Sequence, residues 1–200
     1  MPMRLGLLGG TFDPIHLAHL FMGELAADEL SLGKVIYMPA GVPPHKNGGD
    51  VTAPAHRLAM ARLALADAGR FELSDLEISR SSPSYTIETV RELLAGLERD
   101  AVLYLIIGSD SLHELHAWKD YGTLLSLVRL AVFPRPGHPP SAAHAPLGDR
   151  VEVLSAAGLG FDLSSSAIRE RVRAGRSIRY LVPPAVERYI RENGLYGGCG

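Results

Sequence analysis

The sequence predicts one α/β domain carrying a doubly wound, mostly parallel sheet. Three observations point there. Short apolar runs that stop at glycine or proline read as buried strands. Each gives way to a segment with helical spacing, and that alternation selects a parallel sheet joined by crossovers. A chain of 200 residues with no internal repeat and no long linker supplies one sizeable core and no place to divide it. The single domain is expected to span 1–200, with 196–200 a disordered tail.

The elements follow in order. RLGLL (Arg4–Leu8) is a strand that ends at two glycines, and a helix is expected from His16 to Leu30. Its inner positions are expected to be Leu17, Leu20, Phe21, Leu25 and Leu30. KVIYMPA (Lys34–Ala40) is a second strand, stopped by Pro39. After a Pro- and Gly-rich loop, Pro54–Ala68 is a helix with proline in its first turn. FELSDLEI alternates as a strand does, TIETVRELLAGLERD is helical, and AVLYLIIG (Ala101–Gly108) is the most strand-like stretch of the chain. A polar helix is expected from Ser109 through Trp118. VRLAVFPRPG gives a strand and a proline-rich loop, and RVEVLSA the last strand. SSSAIRERVRAG opens a helix behind a serine cluster, and PPAVERYIRENG closes the chain as a helix begun by proline and ended by Gly194.

Composition narrows the class. Hydrophobic residues make up 46% and charged residues 21%, an ordinary globular balance. Lys and Arg number 20 against 22 Asp and Glu, a net charge of -2. A protein built for nonspecific nucleic-acid binding needs a basic excess, so no nucleic-acid partner is expected. The one cysteine, Cys199, can form neither an internal disulfide nor a cysteine metal cluster, which points to a reducing, cytoplasmic setting. The apolar run near the N-terminus is broken by glycines and does not read as a signal peptide. No stretch reaches the ~18 uninterrupted apolar residues of a membrane span, so no membrane partner is expected.

The stretch GGTFDPIHLAH (Gly9–His19) carries the chemistry. In a doubly wound sheet, ligands bind beyond the carboxyl ends of the strands. Gly9 and Gly10 lie at such an end, and without Cβ atoms they let backbone N–H groups approach a phosphate. Asp13 and Pro14 suit a helix start. His16 and His19, three apart, are expected to project from one face of the first helical turns, where the helix dipole favours an anion. The plainer reading, a tight turn with histidines on a solvated face, fits a lone GG better than the whole string. There is no GK[ST] after a Gly-rich loop and no GxGxxG after the first strand. HELH (His113–His116) lacks the HExxH spacing, so no metal site is expected, and His56, His138 and His144 read as bystanders.

The string resembles the GGTFDPIHxGH signature of bacterial nicotinate mononucleotide adenylyltransferases, within the nucleotidyltransferases that carry an HxGH motif. Ala18 stands where glycine is usual. LSSSAIR (Leu163–Arg169) resembles the second signature of that family, ISSTxIR. The resemblance runs from Gly9 to Arg169 and implies a Rossmann-like nucleotidyltransferase fold. It implies that Gly9, Gly10, Thr11, Phe12, His16, His19, His45, Lys46, Gly108, Asp110, Ser164, Ser165, Ile168 and Arg169 bind ATP. The same resemblance makes His16, His19, Lys46 and Arg169 the expected catalytic set. SPSYTIETV and HAWKDY resemble its substrate-side signatures, implying that Tyr85, Thr86, Trp118 and Lys119 meet the mononucleotide, and Arg135 in PRPG is carried over as a contact to its phosphate.

The implied reaction moves AMP from ATP to nicotinate mononucleotide, giving nicotinate adenine dinucleotide and pyrophosphate. The acceptor phosphate is already an anion, so no general base is required, and no acid–base pair or nucleophile triad stands out. Mg²⁺ is expected to arrive with ATP, with no tightly bound cofactor. The alternatives are a sister adenylyltransferase using nicotinamide mononucleotide or phosphopantetheine, and a nucleotide-binding sensor without turnover. Homo-oligomerisation, and the strictness of the acid-over-amide choice, are left open by the sequence.

Overall fold

The computed structural model describes residues 2–41, 51–80, 82–138, 148–155 and 162–197. Six strands form one sheet: β1 (Arg4–Gly10), β2 (Lys34–Pro39), β3 (Phe71–Leu73), β4 (Val102–Gly108), β5 (Arg129–Phe133) and β6 (Val151–Val153). Their order is β3-β2-β1-β4-β5-β6, and every neighbouring pair is parallel. The chain thus winds outward from β1 in one direction and from β4 in the other. This is the doubly wound sheet that the strand–helix alternation predicts, with the switch point between β1 and β4.

Among the described residues seven α-helices accompany the sheet: α1 (Leu17–Glu29), α2 (Pro54–Ala64), α3 (Thr86–Ala95), α4 (Ser109–Glu114), α5 (Tyr121–Leu127), α6 (Ser165–Arg173) and α7 (Pro184–Glu192). Alternating strand residues build two cores. Leu8, Val35, Tyr37, Tyr104, Ile106 and Phe133 pack with α1, α2, α6 and α7 on one face. Leu5, Leu7, Ile36, Met38, Leu105 and Val132 pack with α3, α4 and α5 on the other. No helix among the described residues is long and apolar enough to cross a membrane.

The differences from the sequence reading have local causes. The buried face of α1 is Ala18, Met22, Gly23, Ala26 and Ala27, whereas Leu20, Phe21 and Leu25 are only partly buried. Apolar residues fall on more than one side of this helix, so periodicity could not choose its inner face. Close approach to the sheet selects the small residues instead. A Cβ on Gly23 would stand 2.1 Å from the Tyr37 hydroxyl. FELSDLEI keeps only three residues as strand, because β3 is an edge paired to β2 alone. The expected helix at Ser109 ends at Glu114, and a 3₁₀ turn over Leu115–Ala117 delivers Trp118 in extended conformation. YGTLLSL was not expected to be helical; it forms α5 and buries Leu124 and Leu125.

The expected tail is also corrected at its start. Tyr196 hydrogen-bonds to Asp13 across the chain and is not frayed. Residues 198–200, including Cys199, lie outside the described residues.

Candidate active site

A cleft of about 350 Å³ opens at the carboxyl ends of β1 and β4. Gly9, Gly10, Thr11 and His19 line one side, and Gly108, Asp110 and Arg135 line another. Tyr85, Thr86, Trp118 and Lys119 border the same space. Eleven residues of the two expected binding sets therefore share one cavity. A Cβ on Gly9 would meet no atom within 4 Å, so the room beside this glycine is left for a ligand.

His16 and His19 do not project from one helical face. His16 is the N-cap, in extended backbone, and only His19 lies within the helix. The His16 N–H donates to His19 Nδ1 at 3.2 Å. Their rings stack with centroids 3.7 Å apart and planes 21° from parallel. Phe12, buried to 1% exposure, sets its ring edge against His19 at 4.9 Å. Phe12 is therefore a wall beneath the site and does not line the cleft. The Tyr37 hydroxyl donates to the His19 carbonyl oxygen at 3.2 Å and holds the first turn of α1 down on β2.

Burial, with the Arg135 charge nearby, lowers the His16 pKa to about 3. Burial likewise holds His19 well below the ordinary imidazole value, helped by His16 and Arg135. Both rings are neutral near pH 7. With Nδ1 accepting from His16, the His19 proton sits on Nε2 and is the donor left to a ligand. The Leu17 N–H, in the first turn of α1, donates to the Leu181 carbonyl oxygen at 3.0 Å.

The second signature sits against the first. Ser164 caps α6 by accepting from the Ala167 N–H at 3.2 Å. The Ser165 hydroxyl donates to the Pro14 carbonyl at 2.9 Å, and Ile168 is fully buried in the core. Arg169 Nη1 donates to the Asp13 carbonyl at 2.7 Å. Asp13 does not cap α1, as its sequence position suggested. Its carboxylate instead accepts from the Thr52 N–H and the Tyr196 hydroxyl.

Two buried side-chain polar atoms lack a hydrogen-bond partner among the described residues: His16 Nδ1 and Arg169 Nε. Unpartnered buried polar atoms are rare in folded proteins and ask for a ligand or water. Here they fall one in each signature.

At the far wall, Arg135 Nη1 stands 3.5 Å from Asp110 Oδ2, and the Arg135 N–H donates to the buried Ser109 hydroxyl at 2.8 Å. Lys119 Nζ lies 4.1 Å over the Tyr85 ring and pairs with Glu88 at 2.7 Å. Trp118 lines the cleft while packing partly against the second core. Ala18 is buried and does not line the cleft. His45 and Lys46 lie outside the described residues. His56 bonds to the Tyr189 hydroxyl on another part of the surface. Among the described residues no three His, Cys, Asp or Glu side chains are grouped to hold a metal ion.

Sequence reasoning missed Arg57, which is 1% exposed in α2. Its guanidinium donates to the carbonyls of Thr52, Thr11 and Gly41 at 3.0, 2.8 and 2.9 Å. It thereby ties the glycine loop, the end of β2 and the start of α2 together. Burial lowers its pKa, opposed by Asp13. An arginine on the inner face of an apolar helix was the available signal.

The family model described as Cytidylyltransferase-like matches residues 7–171. A probable nicotinate-nucleotide adenylyltransferase of Synechococcus sp. (strain JA-3-3Ab) is 46% identical over 198 residues, covering 96% of this chain and 94% of that protein. One from Roseiflexus sp. (strain RS-1) is also 46% identical, covering 96% and 97%. Among solved structures, the Plasmodium falciparum nicotinic acid mononucleotide adenylyltransferase complexed with NaAD superposes with a TM-score of 0.82. It covers 97% of each chain at 18% identity, a likeness of fold. With the paired histidines, the serine-capped α6 and this relatedness along nearly its whole length, the chain belongs to the nicotinate-nucleotide adenylyltransferase family of cytidylyltransferase-like proteins.

Proposed function

We propose that this chain transfers the adenylyl group of ATP to the 5′-phosphate of nicotinate mononucleotide, forming nicotinate adenine dinucleotide and pyrophosphate. The observation that carries the reading is the cleft that His19 and Arg135 line, with His16 stacked on His19 and one unpartnered buried polar atom in each signature, His16 Nδ1 and Arg169 Nε. An oxygen of the mononucleotide phosphate attacks the α-phosphorus. That O–P bond forms as the bond to the bridging oxygen of pyrophosphate breaks. No proton needs to leave the nucleophile, so the chain's work is alignment and charge neutralisation.

In this reading His19 Nε2–H and His16 donate to oxygens of the transferring phosphate as neutral rings. Arg169 and Lys46 hold the β- and γ-phosphates, and Mg²⁺ enters with ATP as part of that substrate. Gly9 and Gly10 admit the phosphate to the ends of β1. Gly108 and Asp110 take the ATP ribose side. Tyr85 and Thr86, at the start of α3, take the nicotinate end with Lys119 near them. Trp118 stacks on the pyridine ring and Arg135 reaches the mononucleotide phosphate. The single cysteine suits a cytoplasmic location.

The test is pyrophosphate release from ATP and Mg²⁺ with nicotinate mononucleotide, nicotinamide mononucleotide and phosphopantetheine in parallel. Strong preference for nicotinate mononucleotide is expected. Preference for another acceptor overturns the substrate, and ATP binding without turnover on any of them overturns the reaction.

A further inference from the structure

Tyr196 lies beyond α7, in left-handed backbone at φ 63°. Its hydroxyl donates to Asp13 Oδ1 at 2.7 Å, joining the end of the chain to the first signature. Burial raises the pKa of the phenol, so it remains a donor at neutral pH. Asp13 is 2% exposed, and its second carboxylate oxygen accepts from the Thr52 N–H at 3.2 Å. Each carboxylate oxygen is thus held by its own donor, Oδ1 by Tyr196 and Oδ2 by Thr52. The guanidinium stands 4.0 Å from Oδ2 and bonds to the Asp13 main-chain carbonyl instead.

That spacing has a chemical consequence. A carboxylate free to rotate next to a guanidinium closes to a short, charge-assisted pair. Such a pair would occupy the donors that Arg169 offers to phosphate. With Asp13 held back, Arg169 is oriented by a neutral carbonyl and by Ser166 at 3.3 Å, while its Nε has no partner.

We propose that Tyr196 is a positioning residue for ATP binding: its hydroxyl holds the Asp13 carboxylate away from Arg169 and so keeps the guanidinium available to the polyphosphate. The inference rests on the reading of Arg169 as a phosphate ligand. It makes the C-terminal segment part of the ATP site.

The test compares wild type, Tyr196→Phe, Arg169→Ala and the double variant. The readouts are steady-state KM for each substrate and calorimetric binding of a non-hydrolysable ATP analogue. Tyr196→Phe is expected to weaken both KM for ATP and analogue binding by about tenfold, the effect of losing one hydrogen bond to a charged group. KM for the mononucleotide should move by less than about twofold. In the Arg169→Ala background the added phenylalanine should change ATP binding little. If Tyr196→Phe does not fold, Asp13→Asn serves instead: with no carboxylate to close on Arg169, analogue binding should stay within about twofold of wild type, and a tenfold loss overturns the proposal. Equal losses for both substrates, or an undiminished effect without Arg169, overturns the proposal. Wild type that binds the analogue but transfers nothing defeats the proposed reaction while leaving the binding cycle readable.

Discussion

His16 donates its backbone N–H to Nδ1 of His19 at 3.2 Å while the two rings stack 3.7 Å apart. One histidine therefore fixes both the tautomer and the plane of the other before any ligand arrives, and preorganised donors need no reorientation in the transition state. Replacing His19 with alanine should lower kcat by about 10²- to 10³-fold, as for loss of a preorganised donor. The variant should melt near the wild-type temperature. Near-normal pyrophosphate release from it would remove His19 from the transferring phosphate.

The depressed histidines also set a pH dependence of stability. The folded value for His16 is about 3, below an ordinary 6.5, so between those values the unfolded chain binds a proton that the folded chain does not. Stability is then intact above about 6.5 and lost as pH falls, by at most about 1.4 kcal/mol per pH unit for this one group. His16→Asn should flatten the fall in melting temperature between pH 6.5 and 5. A profile parallel to wild type would mean that another group controls the acid limb.

Two glycines predict opposite outcomes for the same substitution. At Gly9 a methyl group meets no protein atom within 4 Å and intrudes only on ligand space. Gly9→Ala should leave the melting temperature unchanged and raise KM for ATP by about tenfold, ~1.4 kcal/mol of binding. At Gly23 the methyl meets the Tyr37 hydroxyl at 2.1 Å. Gly23→Ala should destabilise by about 1–3 kcal/mol through overpacking. It should also loosen the Tyr37 hydrogen bond to the His19 carbonyl. Thermal melts and ATP titrations of the two variants separate these effects.

Trp118 lines the same cleft as Tyr85, Thr86 and Lys119 and packs partly against the second core. Trp118→Ala should raise KM for the mononucleotide at least about tenfold, in keeping with loss of an aromatic stack of ~1–3 kcal/mol. ATP analogue binding should stay within about twofold. Equal loss of both ligands would assign the indole to packing against the second core alone.

How far the site was legible depended on whether a role is local in sequence. The parallel sheet, the glycines at the end of β1 and the serine cap of α6 follow from patterns within a dozen residues. Roles that depend on chain segments far apart did not show. Asp13 looked like a helix cap because Asp-Pro before an apolar run favours one, yet its partners are Thr52 and Tyr196. Tyr196 looked like part of a frayed end because nothing local buries it. The inner face of α1 was misread because its apolar residues fall on more than one side of the helix, and Tyr37 in the next strand decides which side approaches.

Arg57 gives the clearest case of such a long-range role, and the largest expected stability effect. Its three acceptors belong to Thr11, Gly41 and Thr52, which no secondary-structure ladder would otherwise hold together. Arg57→Ala strands three carbonyls around a buried space, and a loss of about 3–5 kcal/mol is expected. Arg57→Lys keeps the charge but replaces a rigid fork by a point donor, so it should recover only part of that loss. Because Thr11 lines the cleft, KM for ATP should rise in the lysine variant even where it is fully folded. Chemical denaturation with ATP titration of both variants checks this. Full recovery by lysine would show that charge near Asp13, and not the forked hydrogen bonding, is what this arginine supplies.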